Sequence, residues 1–267
     1  MEHSSAALTL SSPQIPGPDP QPVVYDTFRP TAFDRLIIAG QAIMVSGIPT
    51  QLVIFVIIWF GAGIQPMTDG RLNLEFFAMV SLIDTAAIAL LIRLFLNYTN
   101  ESSNDVFLGS RPVKGEVLRG LALIPVTFAG VLGVVLTLRA VAPWLHNVER
   151  SPLEDLMRTP LEAGIFLVVV VLAGGVREEL QRAFILHRFK HYLGGVKLGL
   201  IVFSVMFGLL HYDQGWDVSI AIGLLGLLWG ILYIRRRSAM MGMVNHAGFN
   251  AAQVIQVMVA RSLGLPI

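Results

Sequence analysis

Cysteine is absent from all 267 residues, which removes disulfides, thiolate metal ligands and a cysteine nucleophile together. Charge is scarce too. Asp, Glu, Lys and Arg make up 14% of the chain, against about a quarter in soluble domains. Hydrophobic residues make up 54%, and mean hydropathy is +0.68. An ordinary soluble domain is therefore excluded. The net charge is +1, and the basic residues are scattered through short connections rather than gathered in a stripe, so no nucleic-acid partner is expected. No Lys or Arg precedes Arg29 and no apolar run lies near the start, so the beginning of the chain does not read as a signal peptide. The chain also lacks H-E-x-x-H, G-x-S-x-G and P-loop patterns, internal repeats, and the matched broken helices that mark inverted-repeat transporters.

Long apolar runs are what the chain does have. Residues 1–32 carry six of the fourteen prolines and no apolar run, and read as a disordered N-terminal tail. Residues 33–267 then read as one all-α transmembrane domain. Apolar stretches at 36–62, 73–97, 117–140, 161–187, 196–212, 216–234 and 238–260 predict a polytopic bundle of about seven helices, with six to eight compatible with the pattern. Pro49 and Pro125 fall inside these stretches and predict kinks. With the N-terminus cytoplasmic, eleven loop Lys and Arg residues face inward and five outward, and the run Arg235, Arg236, Arg237 weighs most. An integral multi-pass protein in contact with membrane lipids is expected.

One stretch breaks the apolar pattern. After nine apolar residues, 165–173, come Gly174, Gly175, Val176, Arg177, Glu178, Glu179, Leu180, Gln181 and Arg182. A charge at bilayer depth costs about 2.5–3.5 kcal/mol on insertion scales, so four within six residues need partners, water or a task. Helical spacing predicts that Glu178 pairs with Arg182 four residues on, and leaves Glu179 without a local partner. His211, one turn after Phe207, and His246 with Asn250, four apart on one face, are the further polar residues of the late segments. At a rise of ~1.5 Å per residue, Glu178 lies ~15 Å from Arg188, His246 ~13 Å from Arg237 and His211 ~21 Å from Lys197. All three depths approach the middle of a bilayer. Two carboxylates, two histidines and an amide at one level compose a hydrolytic site, with a carboxylate as base and donors for an oxyanion. A non-enzymatic peptide-binding or immunity protein, or a proton-coupled transporter, could use the same cavity.

At these residues the chain resembles the CPBP family of intramembrane proteases, the CAAX-processing and bacteriocin-processing group also called ABI. Its members carry E-E-x-x-x-R, F-x-x-x-H and H-x-x-x-N on separate transmembrane helices. Phe207 with His211 and His246 with Asn250 match the second and third motifs, within a family-like core at about 161–255. The first motif is one residue shorter here, E-E-x-x-R. Aligned on the glutamates, Ala183 stands where the family has arginine; aligned on Arg182, Arg177 replaces the first glutamate. The resemblance implies an endopeptidase acting on a peptide or membrane-protein substrate. Glu178 or Glu179 with His211 would activate water, His246 and Asn250 would hold the oxyanion, and Arg182 would orient a glutamate. It leaves the cofactor open. Glu178, His211, His246 and Asn250 are a candidate ligand set for a divalent metal such as zinc, as in a metalloendopeptidase, and can equally bind only water.

Overall fold

The computed structural model describes residues 30–265. The expected tail lies outside them except for its last three residues. Helix α1 (Ala32–Val45) opens on a capping box, in which Thr31 accepts from the Asp34 amide and Asp34 from the Thr31 amide. Gly47 ends it in the left-handed region (φ 87°), where a side chain is strained. Helix α2 (Ile48–Val56) restarts with Pro49 in its first turn and widens into a π-helical end, Ile57–Gly61. The two axes differ by 49°, so the first apolar stretch is a single broken span.

A two-stranded ribbon, β1 (Met67–Thr68) and β2 (Arg71–Leu72), leads into α3 (Leu74–Tyr98), which Asn73 caps. Short α4 (Ser103–Phe107) precedes α5 (Val113–Val141), which continues through Pro125. Helix α6 (Pro160–Val169), again with a capping box, passes through a π-helical segment at Val170–Arg177 into α7 (Glu178–His191). Helices α8 (Val196–Leu209), α9 (Trp216–Arg236) and α10 (Met240–Ser262) complete the chain.

Every apolar stretch is helical, but not every one is a span by itself. Helices α3, α5, α6 with α7, and α9 are long and apolar enough to cross a membrane, and the bent α1 and α2 pair makes a fifth. The seven expected apolar stretches are all present as helical units of the described residues: the bent pair, α3, α5, α6 with α7, α8, α9 and α10. Helix α8 has 14 residues, or ~21 Å against ~30 Å of hydrocarbon. Helix α10 is long enough, but its polar residues Asn245, His246, Asn250, Gln253 and Gln256 dilute its hydropathy.

The polarity is inverted relative to a soluble protein. Leu118, Leu121, Val126, Leu132 and Leu136 of α5 face outward, whereas Asp84, Glu116, Glu179, Arg182, Asn245 and His246 are buried. Such an arrangement suits hydrocarbon outside and paired charges within. Ion pairs tie the two ends of the bundle. At one end Arg236 meets Glu116 and Arg188 meets Glu101; at the other Arg139 meets Asp217, and Arg261 donates to the carbonyls of Glu154 and Met157. The protein is an integral membrane helical bundle.

Candidate active site

The π-helical segment explains how two consecutive glutamates reach different neighbours. Its wider turns bring Gly174 and Gly175 against α10, where a Cβ on Gly175 would lie 2.5 Å from Cβ and 2.7 Å from Cα of Ala247. A Cβ on Gly174 would meet the amide of Asn250, which donates to the Val170 carbonyl at 3.2 Å. Helix α10 therefore sits close enough to face the first turn of α7.

Glu179 is 2% exposed. It accepts from Arg182, three residues on, and its Oε1 lies 3.0 Å from Nδ1 of His246. Gly242 makes room for it, since a Cβ there would stand 2.7 Å from Oε2. Arg182 is completely buried, its guanidinium 4.9 Å from the ring centres of Phe203 and Phe207 and 5.3 Å from that of Trp229. The pairing expected from helical spacing is thus reversed: Arg182 holds Glu179 and not Glu178. Both spacings are allowed on a helix. The aromatic cradle of α8 and α9 decides between them by fixing the guanidinium on the side of Glu179.

Glu178 keeps partial access, with its side chain 17% exposed. Its Oε1 receives Nη2 of Arg177 at 3.3 Å, and its Oε2 lies 3.8 Å from Nε2 of His246. That gap exceeds a hydrogen bond and matches the reach of one water touching both atoms. The tautomer follows from the neighbours. Glu179, held by Arg182, can only accept, so Nδ1 of His246 carries the proton and Nε2 turns its lone pair toward Glu178.

Residues that the sequence reading passed over hold this histidine. Trp229 stacks on it at 3.8 Å, and Asn245 accepts from Nε1 of Trp229 at 2.8 Å and from Thr127 at 3.0 Å. Asn245 is a further polar residue of α10, adjacent in sequence to His246, and the cost of burying an amide could have flagged it. Asp84 was also missed, although a carboxylate in the middle of the 73–97 apolar stretch carries the signal that singled out Glu178.

His211 does not join the carboxylates. It caps α8 with Nδ1 2.7 Å from the Phe207 carbonyl and its ring 5.0 Å from the Phe207 ring, and it makes no hydrogen bond or ion pair with either glutamate. The Phe207 ring also lies 6.1 Å from the His246 ring, so it neighbours both histidines. Asn250 shares the face of His246 but spends one N–H on Val170.

The candidate metal ligands fall in two groups. Among the described residues no three His, Asp or Glu side chains form a ligating group. Glu178 and His246 face each other, while Nδ1 of His211 and Nδ2 of Asn250 are turned to backbone carbonyls. Those contacts leave Nε2 of His211 and Oδ1 of Asn250 as the atoms with which these two residues would hold a metal.

In comparisons with known proteins, residues 160–252 match the family model for type II CAAX prenyl endopeptidase Rce1-like proteins. No curated protein and no solved structure gives a match. The matched region runs from the start of α6 into α10 and contains Glu178, Glu179, Arg182, His211, His246 and Asn250. With the carboxylates of α7 set against the histidine of α10, this part of the chain is similar to the CAAX-type intramembrane proteases.

Proposed function

We propose that the protein is an endopeptidase whose general base is Glu178. The observation that carries this reading is the 3.8 Å gap between Oε2 of Glu178 and Nε2 of His246. A water in that gap donates one hydrogen to each, leaving a lone pair for the carbonyl carbon of a peptide bond. As the water oxygen bonds to carbon, its proton passes to Glu178; when the C–N bond breaks, Glu178 delivers that proton to the leaving amine. Glu179 with Arg182 keeps His246 in the tautomer that can accept. This changes the part assigned to His246 from oxyanion donor to water holder. The free N–H of Asn250 remains as an oxyanion donor. His211, whose Nδ1 is held by the Phe207 carbonyl, keeps Nε2 for the substrate.

The substrate is a peptide or membrane protein cut close to the membrane surface. The end of the bundle that gathers Arg188, Arg235, Arg236 and Arg237 is cytoplasmic, and α1 starts there. Activity is tested with purified protein in lipid nanodiscs, incubated with a farnesylated peptide ending in Cys-a-a-X and with a library of unprenylated hydrophobic peptides, the products read by mass spectrometry. Wild-type protein should release new carboxyl termini, and Glu178→Gln should release none. Equal cleavage by both would refute the assignment.

A further inference from the structure

Asp84 lies in the middle of α3, outside the family-matched residues, and is fully buried. Its Oδ1 accepts from Thr50 Oγ1 at 2.5 Å, and its Oδ2 accepts from Gln51 Nε2 at 3.3 Å and from Arg177 Nη1 at 2.5 Å. Thr50 and Gln51 belong to the first turns of α2, just past the helix break. The other terminal nitrogen of Arg177 reaches Glu178. One planar guanidinium therefore joins two carboxylates, and its rigid fork fixes the angle between them. Glu178 is held from both sides, Oε1 by Arg177 and Oε2 facing His246.

Without Asp84, Arg177 would be a buried cation with Glu178 as its nearest carboxylate. It would close onto that carboxylate and turn it away from the water. Gln181, on the same stretch, fastens the other side of the break by donating to the Val45 carbonyl at 2.7 Å. The broken span and the carboxylate turn of α7 are thus one connected unit.

We infer that Asp84 is a positioning residue for Glu178, acting through Arg177, and that α2 sets its orientation through Thr50 and Gln51. The inference rests on Glu178 being the base. A merely structural ion pair would affect stability alone, so stability and turnover must be measured separately.

The variants Asp84→Asn, Arg177→Lys, Asp84→Asn with Arg177→Gln, and Glu178→Gln are compared in nanodiscs on the peptide that the wild type cuts. Thermal midpoint, kcat and KM are read for each. The double variant removes the fully buried Asp84 charge together with its cation, leaving only the partly exposed Glu178 unpaired, and should melt near the wild type. Its kcat should still be at least about ten-fold lower with KM little changed, because an orienting contact to the base is lost. Arg177→Lys keeps the charge beside Asp84 but cannot span both carboxylates, and should show the same loss with a near-native midpoint. Wild-type kcat in either of these two, with Glu178→Gln inactive, would overturn the positioning role alone. Full turnover by Glu178→Gln would overturn the base and this inference together.

Discussion

Arg182→Ala separates the two glutamates most clearly. The guanidinium is completely buried and its carboxylate partner, Glu179, is 2% exposed. Removing the cation strands Glu179, and breaking such a pair typically costs about 3–5 kcal/mol. Loss of three aromatic faces around the guanidinium adds to that figure. At about 2–4 °C per kcal/mol for a chain of this size, the thermal midpoint should fall by roughly 6–20 °C. Tryptophan fluorescence in detergent reads it directly, since Trp229 stacks on His246 beside the pair. Glu179→Gln combined with Arg182→Gln should recover much of the loss, because two amides can bond without a charge to desolvate. It should also keep reduced but measurable turnover, since Glu178 and Arg177 are untouched and the carbonyl of a glutamine at 179 can still accept from Nδ1 of His246. A midpoint for Arg182→Ala within about 1 °C of the wild type would refute the buried pair.

Three other outcomes follow from the packing and charge. Gly175→Ala would drive a Cβ into the Ala247 backbone and should destabilise by more than the usual ~1–3 kcal/mol of overpacking, whereas Gly164→Ala, which meets nothing within 4 Å, should be neutral or slightly stabilising in the same melt. Outside the spans, burial pushes the pKa of Glu101 up, but hydrogen bonds from His187, Thr99 and Arg188 outweigh it and hold the carboxyl at about 2. A depressed carboxylate stabilises above its ordinary value of 4.5 and loses that contribution as pH falls toward about 2, so the difference in midpoint between wild type and Glu101→Gln should shrink across that window. Single cysteines at exposed Lys190 and Arg235 should be labelled from the cytoplasmic side and one at Glu149 from the other; labelling of Lys190→Cys and Glu149→Cys from the same side would contradict the orientation.

Much of the fold was legible because membranes impose simple rules. Backbone groups in hydrocarbon must be satisfied internally, so long apolar runs had to be helices. The sites of His246 and the glutamates were legible for the same reason, as charges and imidazoles too costly to bury without purpose. What failed was helical phase. A spacing of four and a spacing of three both place residues on one face, and only Phe203, Phe207 and Trp229, contributed by α8 and α9, select Glu179 as the partner of Arg182. Depth was not enough for His211, since a residue at the right level can still turn its ring to a backbone carbonyl, as Nδ1 of His211 does to Phe207. The seven apolar units were legible, but not the break at Gly47 that divides the first into two helices, nor the shortness of α8.

The most direct test compares kcat on one peptide for Glu178→Gln and for the double variant Glu179→Gln with Arg182→Gln, both checked to be folded by their melts. If water is activated in the gap between Glu178 and His246, loss of the Glu178 carboxylate should lower kcat by about 10²–10⁴-fold, and the double variant should retain clear turnover. The opposite order, with Glu178→Gln active and the double variant dead, would make Glu179 the base and contradict the mechanism.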